Sequence, residues 1–397
     1  MASKRQLFLN HLAQTSDAPL MLEIERGEGI YLFDRKGKKH IDLIAGIGVS
    51  SLGHAHPKVV KAVQKQAGKF MHTLVYGEFV MSPQVELAKL ISDNLPDPLD
   101  SIYFVNSGSE ATEGAMKLAK RYTGRPEIIS ARYAYHGSTQ GAASLMYPTD
   151  FTQAFHPLLP GINHINFNEE NDLEKITSKT ACVIVETVQA ECGIQTPKKK
   201  YLKKLRKRCN ETGTLLVLDE IQAGYGRTGT LWAFDQYGIV PDILLLAKGM
   251  GGGMPIAAFI ASKDIMRTLS FNPFLGHITT FGGHPVCCAA GLATLKVLLK
   301  EDYISKVKEK EKLFKKLLIH SAIKEIRSAG LWMAVELESY DFLKRVINKC
   351  LEDGLITDWF LFNDKSLRIA PPLTITKKEI KVACKIILNA LTYCQNK

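Results

Sequence analysis

At 397 residues, 46% hydrophobic and 23% charged, the chain is long enough for two or three domains around a large core, and its composition excludes a disordered or fibrous protein. The formal net charge of +11 raises nucleic acid as a partner class, but no nucleic-acid module signature accompanies it; a basic surface favours small anionic substrates instead. The one apolar run of membrane-span length, residues 242–260, is interrupted by Lys248, by glycines and by Pro255, so it predicts two buried strands joined by a turn.

Taken from the N-terminus, MASKRQLFLNHLAQ lacks the long apolar stretch and small-residue cleavage site of a secretory signal, so the protein is expected in the cytoplasm. Its eight cysteines then need not pair, and no C-x-x-C pair with partner histidines supports a metal site. GIYLFDRKGKKHIDL, residues 29–43, predicts a hairpin turning at Lys36 and Gly37. Strand-length apolar runs follow in SIYFVNSG, EIISARY, ACVIVETV, LLVLDE, DILLLAK and PIAAFIAS, most of them apolar on both faces. Helical patterns such as SEATEGAMKLAKRYTG separate several of these runs. Together they predict an α/β fold with a mainly parallel central sheet and helices on both faces. The densest basic run, PKKKYLKKLRKRC at 197–209, carries Tyr201, Leu202 and Leu205 at helical spacing, so its lysines are expected on the solvated face of an amphipathic helix. After about Leu299 charged helices alternate with a few strands, among them LWMAVELE and SLRIAPPLTI. That texture predicts a smaller α+β domain at 300–397, completed by residues 1–50, beside a large domain at 51–299.

Lys248 is the outlier in its apolar run. A charged ammonium is costly to bury, so such a lysine is solvated at a turn, paired with an acid, or held neutral for chemistry. Ligands gather at the carboxyl ends of open parallel sheets, which directs attention to polar residues just after the strands. FVNSGSEATEGA has Asn106, Ser107, Gly108 and Ser109 between a strand and a helix, where open amides attract a phosphate or where serine simply caps the helix. LLVLDEIQAG ends a buried strand with Asp219 and Glu220; an acid there can keep a ring nitrogen protonated or act as a strand-end helix cap. From Asp219 to Lys248 is 248 − 219 = 29 residues, room for one helical crossover between neighbouring strands opening on one cleft. A lysine for Schiff-base chemistry, an acid for a pyridinium nitrogen and a helix N-terminus for a phosphate are the parts that pyridoxal 5'-phosphate requires.

LLVLDEIQAGYGRTG followed by PDILLLAKGMGGGMPIAAF resembles the signature of the class III pyridoxal-phosphate aminotransferases, the fold type I group that includes the acetylornithine, ornithine and 4-aminobutyrate enzymes. The resemblance extends from GEGIYLFDRKGKKHIDLIAGIGVSSLGHAHP to LRIAPPL, nearly the whole chain. It implies that Lys248 carries the cofactor as a Schiff base, that Asp219 faces the pyridine nitrogen, and that Gln222 sits near the ring hydroxyl. Gly108 and Ser109 match the phosphate loop, and Tyr135 in YAYHG matches the aromatic that stacks on the ring, with His136 beside it. HITTFGGHP is similar to the family's S-T-F-G-G-N-P, which implies a homodimer with active sites at the subunit interface. Thr280 would then reach the neighbouring subunit's phosphate, with Thr279 next to it on the substrate side, and His284 stands where asparagine is usual. ETVQAECGI is similar to E-P-x-Q-G-E-G-G, so Glu191 is the acid that pairs with an arginine, and LRIAPPL supplies Arg368 as that arginine. Tyr76 and Glu78, in MHTLVYGEFVMSPQVELAKL, match a segment that lines the substrate entrance.

The implied activity is transfer of an amino group from an ω-amino or acetylornithine/ornithine-like donor to 2-oxoglutarate, by a ping-pong mechanism through pyridoxamine phosphate. Arg368 is expected to grip the acceptor's α-carboxylate, with Glu191 masking it in the other half-reaction. Relatives with those donors typically carry His-Gly-Arg, whose arginine takes the donor's distant carboxylate, but YHGST has Ser138 there. That departure leaves open an epimerase, a decarboxylase or an aminomutase using the same cofactor. Neither a metal, a nucleic acid nor a membrane is expected as a partner.

Overall fold

The computed structural model describes residues 3–198 and 200–397. Near the N-terminus β1 (Ile24–Glu28), β2 (Tyr31–Asp34) and β3 (Lys39–Asp42) form an antiparallel meander. Its predicted turn is held by Asp34, whose Oδ1 accepts from the amides of Lys36 and Lys38, and Gly37 takes the left-handed conformation that turn needs, with φ 77°.

The central sheet is built from β4 (Ser101–Val105), β5 (Glu127–Ala131), β6 (Ile162–Ile165), β7 (Thr180–Glu186), β8 (Leu215–Asp219), β9 (Ile243–Leu246) and β10 (Ala257–Ala261), in the order β4-β10-β9-β8-β7-β5-β6. Strands β7 to β10 are buried at every residue, as a sheet covered on both faces requires. The sheet is parallel except for β10, which runs against both β9 and β4. Only residues 247–256 connect β9 to β10, too short a link for the dozen or more residues of a parallel crossover.

The helix Gly108–Thr123 buries Ala111, Ala115, Met116, Leu118 and Ala119 and packs close to β10: a Cβ at Gly114 would come 2.3 Å from the Phe259 ring. The basic run folds as the amphipathic helix Tyr201–Thr212, with Tyr201, Leu202, Leu205 and Cys209 buried. The β8–β9 crossover departs from expectation. It consists of turns and a short 3-10 helix, Ala233–Tyr237, tied down by Glu220, which accepts from the amides of Ala233 and Phe234 and from Thr187 Oγ1. Gly224, Gly226 and Gly229 in that stretch disfavour an α-helix, and the buried Glu220 carboxylate substitutes for its hydrogen bonds.

Toward the C-terminus β11 (Glu325–Ser328), β12 (Met333–Glu336) and β14 (Ser366–Ile369) form an antiparallel sheet, whereas β13 (Leu355–Ile356) pairs in parallel with β3. The N-terminal and C-terminal segments therefore share a sheet. Among the described residues no helix is long and apolar enough to cross a membrane, and the eight cysteines are free thiols.

Candidate active site

Strand register assembles the site. Glu186 of β7 lies opposite Asp219 of β8, and Asp219 lies opposite Leu245 of β9, so both acids and the following Lys248 leave the sheet at its carboxyl edge. Val105 of β4 pairs with Ala257 of β10 at that edge and brings up the turn Asn106 to Ser109. Ser107 caps the helix Gly108–Thr123 by accepting from Glu110 N at 3.2 Å. Helix-start amides at Gly108 and Ser109 have no partner within the helix, so the turn that Ser107 caps still leaves amides open, as an anion would require.

A cavity of about 400 Å³ gathers Gly108, Ser109, Tyr135, His136, Asp219, Gln222 and Lys248. Lys248 holds a left-handed backbone conformation, φ 44°, which is costly for a residue with a side chain and recurs at functional sites. Burial pulls its ammonium down to about 8, against the opposing pull of Glu191 and Asp219. Asp219 is oriented twice over: Oδ1 accepts from Ile221 N at 2.9 Å, and Oδ2 lies 2.7 Å from Nδ1 of the buried His136. Beside it, Glu186 accepts from Tyr135 N at 3.2 Å and from Ala190 N at 2.8 Å. Burial, then the neighbouring Asp219, pushes the Glu186 carboxyl well above the usual carboxylate range.

Glu191 and Arg368 stand behind this wall. Arg368 Nη1 and Nη2 donate to the two carboxylate oxygens at 3.0 and 2.9 Å, a fork-to-fork pair. Gln222 links the pair to the cavity by donating to Glu191 Oε1 at 3.3 Å, and Leu361 N donates to Oε2 at 3.0 Å. Burial alone would raise the Glu191 carboxyl, but the guanidinium outweighs it and holds the group at about 2. Asp358 Oδ1 sits 2.9 Å from Arg368 Nε, close enough for an ion pair but not aligned as a hydrogen bond. Burial pushes Asp358 up to about 6 in spite of that guanidinium.

The remaining expected residues fall elsewhere. Ser138 is exposed beside the cavity, its Oγ 2.9 Å from the Tyr135 hydroxyl and its amide donating to Ser109 Oγ. Thr279 accepts from Gly282 N and from Asn106 Nδ2, while Thr280 is exposed. Tyr76 lines a separate cavity of about 230 Å³ with Gln84 and Phe104, and Glu78 is exposed. None of Thr279, Thr280, Tyr76 and Glu78 lines the main cavity of its own chain. Glu186 and Asp358 were not singled out from the sequence. ACVIVE and LLVLD both end in an acid, a signal that could have found Glu186; nothing local to Asp358 announces it.

Comparison with known proteins decides the family: the description aminotransferase class-III matches residues 12–391. The chain belongs to the class-III aminotransferases. It is 40% identical over 396 residues to an acetylornithine aminotransferase of Methanocaldococcus jannaschii, covering 96% of this chain and 94% of that one. A second acetylornithine aminotransferase, from Caldanaerobacter subterraneus subsp. tengcongensis, is 39% identical over 388 residues, covering 94% and 95%. Among solved structures, the ornithine aminotransferase of Toxoplasma gondii ME49 superposes with a TM-score of 0.92 at 29% identity, covering 100% of this chain and 96% of that one. Another T. gondii ornithine aminotransferase structure, at TM-score 0.91 and 30% identity over 98% of this chain and 93% of that one, is described with partial occupancy of PLP at its active site. Membership in the class-III aminotransferases thus implies pyridoxal phosphate, and the cavity suits it. The amides at Gly108 and Ser109 are open at the cavity wall, Lys248 carries a weakly basic amine, and Asp219 is locked by His136. The turn at Ser109 also has no room to spare, since a Cβ at Gly137 would come 2.3 Å from Ser109 Oγ.

Proposed function

We propose that this class-III aminotransferase moves an amino group from an acetylornithine-like, ornithine-like or other ω-amino donor to 2-oxoglutarate in two half-reactions. One observation carries the reading: Lys248 opens on a cavity whose wall continues, through Gln222, into the bidentate Glu191–Arg368 pair. When bound, pyridoxal phosphate supplies an electron-withdrawing ring that makes acidic the hydrogen on the carbon bearing the transferred amine. In this reading Gly108 and Ser109 hold the phosphate, Tyr135 covers the ring, Gln222 attends its hydroxyl and Asp219, steered by His136, holds the ring nitrogen protonated. Lys248 Nζ, its basicity reduced by burial, takes the proton from the amine-bearing carbon and returns it. Arg368 offers its fork to the α-carboxylate of the oxo acid when Glu191 swings aside, and Glu191 neutralises it while the donor amine is bound.

Ser138 bears on the donor. A serine held by the Tyr135 hydroxyl cannot clamp a distant carboxylate as an arginine would, which disfavours 4-aminobutyrate. A second copy of the chain completes the site: Thr280, Tyr76 and Glu78 belong to segments that expose Met71, Phe79, Val80, Phe274 and Phe281. Such a concentration of exposed large apolar groups supports a symmetric dimer. Free thiols support a reducing compartment, the cytoplasm.

The test is a panel of acetylornithine, ornithine, diamines and 4-aminobutyrate with 2-oxoglutarate or pyruvate, read as glutamate or alanine formed. Glutamate production from the first three groups is expected to exceed that from 4-aminobutyrate. Racemisation of an amino acid without any oxo acid, and no transfer from any donor, would overturn the reading.

A further inference from the structure

Apart from the catalytic cavity, a second one of about 380 Å³ opens at the same carboxyl edge of the central sheet, beyond β5, β6 and β7, within the size range of small-molecule sites. Arg132, Tyr133, Gln189, Gln195 and Phe362 are among its walls, and no acidic side chain lines it. Arg132 is the focus. Its guanidinium lies over the Tyr147 ring, 4.2 Å from the centroid, and its buried Nε has no hydrogen-bond partner among the described residues. An unsatisfied buried donor is costly, and a stacked guanidinium is a pre-oriented fork for a carboxylate. Tyr133 holds a left-handed backbone conformation, φ 60°, with its ring edge-on to Phe362 at 6.0 Å. Strain of this kind persists where surrounding structure enforces it, often at ligand sites. Two aromatic side chains thus share the cavity with a cation unpaired among the described residues.

The cavity is wired to the substrate grip. Glu191 lies in the turn closed by Gln189 and Gln195, whose backbones exchange hydrogen bonds at 2.9 and 2.8 Å, and Phe362 N donates to the Glu191 carbonyl at 2.8 Å. Both sides of the cavity therefore bear on one residue. The geometry points to a binding site for a small aromatic carboxylate, its anionic head on Arg132 and its ring against the edge-to-face pair of Tyr133 and Phe362, whose occupation shifts the Glu191–Arg368 pair. The binding stands by itself; the shift rests on the proposed role of that pair in gripping the oxo acid.

The holoenzyme should be titrated with 4-fluorobenzoate, followed by fluorine NMR, in wild type, Arg132→Met and Gln195→Glu forms. Arg132→Met keeps the stem over Tyr147 without the charge. Gln195→Glu sets an acid in the same cavity and needs no change in the buried part, so it serves even if the first variant folds poorly. Saturable binding weakened about ten-fold or more in both variants is expected, with turnover in the absence of probe unchanged. Equal affinity in all three forms, which would assign the probe to Arg368, or no saturable binding in wild type, overturns the site. With the probe bound, KM for the oxo acid should change about two-fold or more in wild type only; an unchanged KM with intact Arg132-dependent binding overturns the coupling alone.

Discussion

Replacing Glu191 by alanine separates a substrate switch from a structural ion pair. In the native chain the side chains of Arg368 and Glu191 are only 4% and 8% exposed and share two hydrogen bonds. Breaking a buried pair by removing one partner costs about 3–5 kcal/mol, because the other charge is stranded. Arg368 keeps Asp358 and the Trp359 carbonyl, each at 2.9 Å, so the lower end, about 3 kcal/mol, applies here. For 397 residues the unfolding entropy is about 0.8 kcal/mol/K, and Tm should fall by about 4 °C if the chain unfolds as one unit. Glu191 is held at about 2 in the fold, below its ordinary 4.5. Its contribution is therefore fully present above about pH 4.5 and lost as pH falls toward 2, so the Tm gap between wild type and variant should narrow across that window. Single-turnover kinetics supply the functional readout: the amine half-reaction should slow by about ten-fold or more while the oxo-acid half-reaction is largely kept. Equal slowing of both halves, with the same loss of Tm, refutes the switch and leaves a structural pair.

Lys248→Ala should abolish turnover without dispersing the proposed dimer, and borohydride reduction of wild type should attach the cofactor to Lys248; label on another lysine would contradict the assignment. Since burial lowers Lys248 from 10.5 to about 8, the cofactor-free protein should gain stability as pH rises through that interval and lose it as pH falls back, a component absent from Lys248→Ala in pH-dependent melting. Asp219→Asn should slow the proton-transfer step by about a hundred- to several-thousand-fold, the equivalent of about 3–5 kcal/mol, and near wild-type rates would refute the ring-nitrogen role. Ser138→Arg should raise kcat/KM for 4-aminobutyrate and lower it for diamines, and Glu78→Gln should lessen any preference for a cationic donor end. No gain with Ser138→Arg, together with 4-aminobutyrate as the best wild-type donor, would refute this account of the pocket.

The strand runs, the turn at Lys36 and Gly37, the amphipathic helix Tyr201–Thr212 and the strand-end residues Asp219 and Lys248 were all legible in the sequence. Each is a local signal: apolar period, glycine at a turn, or a polar residue ending a buried run. The reversed direction of β10 followed from a short connection and was less obvious, and the β8–β9 crossover defied expectation because Glu220, buried by distant packing, replaced the hydrogen bonds of a helix.

Resemblance supplied the Glu191–Arg368 pairing, but its geometry joins residues 177 apart and depends on β14 reaching the turn after β7. Asp358 beside Arg368, the 2.7 Å contact between His136 and Asp219, and the elevated Glu186 carboxyl are tertiary facts. By itself, then, the amino-acid order determined which residues end the strands and what chemistry they carry, because backbone periodicity acts between neighbours. Which of those groups touch, and how burial retunes Lys248, Glu186 and Glu191, was decided only by strand register and packing, since desolvation and charge pairing depend on distances that no local pattern encodes.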